Sequence, residues 1–229
     1  MQGTASSGAV ALTFDDGPNG RCTEAVLDAL ADVGAPATFF VLGANVEAGG
    51  NDALLARMVR DGHAIGAHSR WHSVRRLFFR DLTEADLLAT RAAIGEAVAR
   101  AGGAPPPIVF FRPPFGFLTA AAARGARDAG MHVVEWTVSV RDWERRRTAD
   151  DVTQAILARV RAGDVVVLHD GNGTHQRSGA RCRDRTNVAA VVRGLVPALG
   201  ARGLRTAPLA EVLGLAAEPA AEPMLRERR

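Results

Sequence analysis

The chain has 229 residues, 47% of them hydrophobic, and its 28 basic side chains, all arginine, slightly outnumber 25 acidic ones. That length buries one sizeable core, or two at most, and the composition is globular rather than disordered or fibrous. No apolar run approaches the roughly 20 residues of a membrane helix, and the formal charge of +3 is not gathered into an aromatic-interleaved basic patch of the kind that binds nucleic acid. Arg75-Arg76-Leu77-Phe78-Phe79-Arg80 comes nearest, and it reads as a basic loop beside a buried aromatic pair.

Residues Met1 to Gly8 lack the charged and apolar regions of a signal peptide and read as a short extension. The expectation is a cytoplasmic protein, or a secreted one whose leader has been removed. The apolar run Ala9-Val10-Ala11-Leu12 then reads as a buried strand that stops at the turn signal Gly17-Pro18. Between them stand Asp15 and Asp16. Neighbouring strand residues point to opposite faces, so two adjacent acids suggest two tasks, one binding a cation and the other moving a proton.

A helical stripe follows at Val26, Leu27, Leu30 and Val33, then a short strand over Ala37 to Leu42. Asp52 to Asp61 reads as a helix and Ala64 to Ala67 as a strand. Thr83 is placed as the N-cap of a helix running to about Ala101, which the Gly102-to-Pro107 stretch ends. Ile108 to Phe111 is a strand, Thr119 to Ala129 a helix and Val133 to Val138 a strand. Ala149 to Ala162 is a helix, Asp164 to Leu168 a strand and Thr186 to Ala201 a helix. A last strand near Leu204 to Ala207 precedes a short helix at Leu209 to Leu213. Residues 216–229 read as a disordered tail, which leaves 9–215 as the folded domain.

Alternating β and α segments imply a parallel sheet with helices outside it. Polar residues fall after the C-terminal ends of many strands: Asp15-Asp16, His68, Arg112, Asp142 and His169. That convergence favours a small β/α barrel of seven or so units, with its active site built from the loops after the strands, over a doubly wound open sheet.

His68 and His72 stand four apart, which on a helical turn puts both imidazoles on one face. With a carboxylate they would make a two-His, one-Asp set that leaves positions open on an ion. Arg112 lies in Phe111-Arg112-Pro113-Pro114-Phe115-Gly116, where two prolines stop the strand, and is placed to orient a carboxylate bidentately or to make a surface salt bridge. Asp142-Trp143 sets a carboxylate beside an apolar wall, and His169 ends the strand Val165 to Leu168. His63 and His132 read as structural. Cys22 and Cys182 read as free thiols, with a disulfide between the two loops as the alternative.

The order TFDDGP, HSRWH, RPPFG, DW and LHD resembles the polysaccharide deacetylase family, the NodB-homology domain of carbohydrate esterase family four. The resemblance spans nearly the whole chain. It implies a distorted (β/α)7 barrel of parallel strands, with the active site at the strand C-terminal ends, and a metal-dependent hydrolase that removes N-acetyl groups from an N-acetylated sugar or oligosaccharide. Zn²⁺ is the expected ion, with Co²⁺, Ni²⁺ or Fe²⁺ as alternatives. By the same resemblance Asp15 is the general base; Asp16, His68 and His72 hold the metal; Arg112 keeps Asp15 ionised. The Phe115 N–H meets the oxyanion, Trp143 and Val167 line the acetyl pocket, and His169 is the general acid tuned by Asp142. Two positions depart from the family pattern: Ser139 stands where an Asp is usual, and Val167 where a Leu is usual. The slightly wider pocket admits an acyl group a little bulkier than acetyl. Other readings are a deformylase or amidase of a non-polymeric or non-sugar substrate, and a catalytically inactive carbohydrate-binding module.

Overall fold

The strand β1 (Ala9–Asp15) is buried along its whole length, as a central strand covered on both faces must be. Its alternate residues divide cleanly. Val10, Leu12 and Phe14 join the large cluster packed under the helices, whereas Ala9 and Ala11 belong to a second cluster with Phe40, Phe110, Val134 and Val165. The period of two thus puts Ala9, Ala11, Thr13 and Asp15 on one face, looking inward. Small residues lie deep and polar ones nearer the mouth.

The computed structural model describes residues 8–75, 84–144, 146–171 and 186–215. Seven further strands follow in chain order: β2 (Thr38–Val41), β3 (Ala64–Ala67), β4 (Phe110–Phe111), β5 (His132–Val133), β6 (Val138–Ser139), β7 (Val165–His169) and β8 (Arg205–Thr206). All pairings are parallel, in the order β5-β4-β3-β2-β1-β7-β6, with β8 beside the start of β1. The two ends of that order, β5 and β6, are consecutive in the chain. The curled sheet with outer helices is the expected distorted (β/α)7 barrel.

The helices are α1 (Arg21–Val33), α2 (Gly43–Glu47), α3 (Asp52–Arg60), α4 (Glu84–Arg100), α5 (Ala120–Asp128), α6 (Ala149–Leu157), α7 (Thr186–Gly200) and α8 (Leu209–Val212). Thr119 caps α5 by accepting from the Ala122 N–H, and Thr148 with Asp151 makes a capping box on α6. Leu209, Val212 and Leu213 join the inner cluster with Ala9 and Ala11 and close the end of the barrel opposite the polar residues.

Four sequence expectations change. The strand read over Val133 to Val138 is two short strands with a break at 134–137. The Arg112 guanidinium donates to the carbonyls of Val134 and Glu135, so those acceptors serve a side chain and not a ladder. The helix expected to reach Ala162 ends at Leu157. The short α2 was not expected. Cys22 is buried and disulfide-bonded rather than a free thiol. Cys182, Thr83, Arg76 to Arg80, His175 with the loop around it, and both termini lie outside the described residues.

Candidate active site

The inward face of the barrel carries a polar layer above the apolar one. Arg112 follows β4 and is fully buried, at 0% exposure, with its guanidinium 4.1 Å above the Phe40 ring. One terminal nitrogen donates to both Thr13 Oγ1 and Asp15 Oδ1 at 2.7 Å, while the others reach the Val134 and Glu135 carbonyls. The contact with Asp15 uses a single nitrogen and a single oxygen, so it is not bidentate. Burial alone would raise the Asp15 pKa, but the Arg112 charge and hydrogen bond, helped by His169, more than offset this and hold the carboxyl below its usual range.

Asp16 leaves the strand. Its φ of 75° is left-handed, a region Asp tolerates better than most residues at a cost of roughly 1–3 kcal/mol. In an uninterrupted strand Asp15 and Asp16 would face opposite ways; this turn brings both to the same cavity. His68 and His72 meet Asp16 there, but not from a helical turn. The stretch from 68 to 73 is irregular, with Ser69 left-handed at φ 66°. The Gly43 and Ala44 N–H groups of α2 donate to the Ser69 and Arg70 carbonyls and hold this loop.

Each Nε2 of His68 and His72 lies 3.5 Å from Asp16 Oδ1. Two ligands held about 2.1 Å from one ion at a tetrahedral angle stand about 3.4 Å apart. Asp16 Oδ1 is buried with no hydrogen-bond partner among the described residues. His68 Nδ1 is 2.8 Å from the Arg112 carbonyl, which can only accept, so the proton sits on Nδ1 and the Nε2 lone pair faces Asp16. Burial lowers the His72 pKa and favours its neutral, ligating form. The three residues fit a divalent cation.

On the opposite side, Asp142 Oδ1 is 2.9 Å from His169 Nδ1, and Asp142 Oδ2 accepts the His169 backbone N–H at 2.8 Å. Burial would lower the imidazole pKa; Asp142 outweighs it, with Asp16 and Asp15 adding, and raises it to about 9. Trp143 meets the His169 ring edge-on at 4.9 Å, and Phe115 lies 4.0 Å from the His72 ring.

A cavity of about 370 Å³ is lined by Asp15, Asp16, His68, His72, Phe115, Trp143, Val167 and His169, so eight of the ten expected site residues face one space. The other two, Arg112 and Asp142, stand behind Asp15 and His169. Trp136 and Ser139 also line the cavity. Trp136 was missed because it lay inside an expected strand with nothing to set it apart. Ser139 and Val167 are register partners across β6 and β7, which places them side by side on one wall. His63 is buried against Phe39, as expected of a structural residue, whereas His132 is exposed at the start of β5.

Residues 2–134 match the family model described as polysaccharide deacetylase. A chitooligosaccharide deacetylase of Sinorhizobium fredii is 36% identical over 194 residues, covering 85% of this chain and 86% of that one. A peptidoglycan-N-acetylglucosamine deacetylase of Bacillus cereus is 30% identical over 206 residues, covering 89% and 87%. Among solved structures, a peptidoglycan N-acetylglucosamine deacetylase in complex with 4-naphthalen-1-yl-N-oxidanyl-benzamide superposes with a TM-score of 0.79 at 26% identity, over 95% of this chain and 94% of that one. A family 4 carbohydrate esterase from Streptomyces lividans in complex with acetate gives 0.71 at 29%, over 93% and 99%. Sequence likeness along most of both chains, and the convergence of the motif residues on one cavity, place this chain in the polysaccharide deacetylase family.

Proposed function

We propose that the chain is a divalent-metal-dependent hydrolase that removes the N-acetyl group from an N-acetylated amino sugar within an oligosaccharide, releasing acetate and a free amine. The observation that carries this reading is the opposition across one cavity of a carboxylate held charged, Asp15, and an imidazole held protonated, His169, beside the Asp16–His68–His72 set. Amide hydrolysis needs that pair. Water must lose a proton as its oxygen attacks the carbonyl carbon, and the departing nitrogen must gain one as the C–N bond breaks. Asp15 takes the first proton and His169 gives the second.

Arg112 keeps Asp15 ionised and aimed, and Asp142 keeps His169 cationic. The acyl methyl lies against Trp143 and Val167, and the Phe115 N–H meets the oxygen that becomes negative. A metal held by Asp16, His68 and His72 supplies Lewis acidity for the water and the carbonyl; Zn²⁺ suits this ligand set best. Phe115 and Trp143, 40% and 42% exposed, offer apolar faces at the mouth to the rings of a sugar chain. Acetate release from N-acetylglucosamine oligomers should stop on chelation and return on adding zinc. Full activity after thorough chelation overturns the metal reading, and no release by zinc-loaded protein from any acylated sugar overturns the substrate reading.

A further inference from the structure

The left-handed Asp16 is gripped from behind by groups that line no part of the cavity. Asn45 of α2 donates its Nδ2–H to the Asp16 carbonyl at 2.9 Å. On the other side Gly171 packs so tightly on that carbonyl and on the Asp16 Cβ that any side chain there would collide with them. The flanking peptides are fixed as well. The Asp170 N–H donates to the Asp15 carbonyl at 3.2 Å, and the Leu42 N–H to the Gly17 carbonyl at 2.9 Å.

The Asp170 carboxyl, fully buried, lies against Gly17 where a Cβ would stand, and accepts from the Thr23 hydroxyl at 2.5 Å. Thr23 in turn accepts the Asn19 N–H at 2.8 Å. The grip therefore runs from α1 and α2 to the end of β7 and closes around the whole turn from 15 to 19.

We propose that Asn45, Thr23 and Asp170 are positioning residues that hold Asp16 in the conformation needed to share a cation with His68 and His72, and so set the affinity of the metal site. Without the Asn45 donor one side of that grip is lost, and relaxation of the Asp16 peptide toward an ordinary φ swings the carboxylate away from the two Nε2 atoms. Partners that orient metal ligands from outside the coordination sphere typically carry about 10–100-fold in affinity.

The inference rests on the metal reading of Asp16, His68 and His72, and the test separates the two. Zinc dissociation constants are measured by chelator competition for the full chain and for Asn45→Ala, Thr23→Val and His72→Ala. Unfolding of each metal-free protein is followed in parallel. Asn45→Ala should bind zinc about 10–100-fold more weakly and Thr23→Val at least about threefold more weakly. A merely structural role would lower the metal-free unfolding temperature and leave the zinc constant unchanged. If the parent does not bind zinc, or His72→Ala binds like the parent, the metal reading itself fails. If the parent binds and both positioning variants stay within about twofold of it, the proposal fails while the metal reading stands. Should Asn45→Ala not fold, Thr23→Val, a change of nearly equal volume, decides alone.

Discussion

Replacing Arg112 by Met keeps a long apolar stem over Phe40 but removes the charge and four hydrogen bonds, to Thr13, Asp15, Val134 and Glu135. Asp15 is then a buried carboxylate without its cation. Breaking a buried pair by removing one partner costs about 3–5 kcal/mol, against a total stability of roughly 5–15 kcal/mol. For a domain of this size each kcal/mol moves the midpoint by about 2–4 °C, so the loss is roughly 6–20 °C. Asp15 relieves part of the penalty by taking up a proton, and a protonated Asp15 is no longer a base. Its folded pKa is lowered in the parent, so the stabilisation is present above the ordinary carboxylate value and is lost as pH falls through the folded value. The gap between parent and variant should therefore be widest near neutrality and close in acid. Thermal unfolding by circular dichroism at several pH values reads the gap, and the acid limb of kcat/KM, which should move to higher pH, reads the base. A variant that melts within about 2 °C of the parent, with its acid limb unmoved, refutes the pairing argument.

Asp142→Asn should lower the His169 pKa from about 9, because the carboxylate is what lifts it against burial, and so move the alkaline limb of the rate profile to lower pH; NMR titration of the imidazole checks the cause. Val167→Leu narrows the wall shared with Ser139 and should shift selectivity toward acetyl over propionyl by about fourfold, at about 0.8 kcal/mol per CH₂, in competition assays. Burial, with Asp16 and Asp15 nearby, raises the Asp170 pKa to about 7. Its contribution to stability is thus full below the unfolded value of 3.8 and is lost as pH rises through about 7. Denaturant titrations of metal-free Asp170→Asn should show that slope reduced.

The convergence of the candidate site was legible in the sequence because each motif sits where an apolar run stops. Asp15 ends β1, Arg112 follows β4 and His169 ends β7, and a period of two then sends all three inward. Less could be read where a side chain replaces regular backbone pairing. Arg112 takes the carbonyls that would have extended β5, and no local pattern announces a guanidinium arriving from 22 residues away. The loop from His68 to His72 escaped for a related reason. A spacing of four suggests a helical face, but left-handed Ser69 and the N–H groups of α2 impose an irregular turn that still converges the two rings. Asn45 and Thr23 are ordinary residues in sequence and acquire meaning only through contacts with residues distant in the chain, Asp16 and Asp170.

In the proposed function two adjacent carboxylates divide the labour, Asp16 for the ion and Asp15 for the proton. The most direct measurement is acetate release from an N-acetylglucosamine oligomer by zinc-loaded Asp15→Asn, with zinc content determined on the same sample. Retained zinc with activity lost by about 100-fold or more is the expected result. Activity near that of the parent, or zinc lost together with activity, would contradict the division.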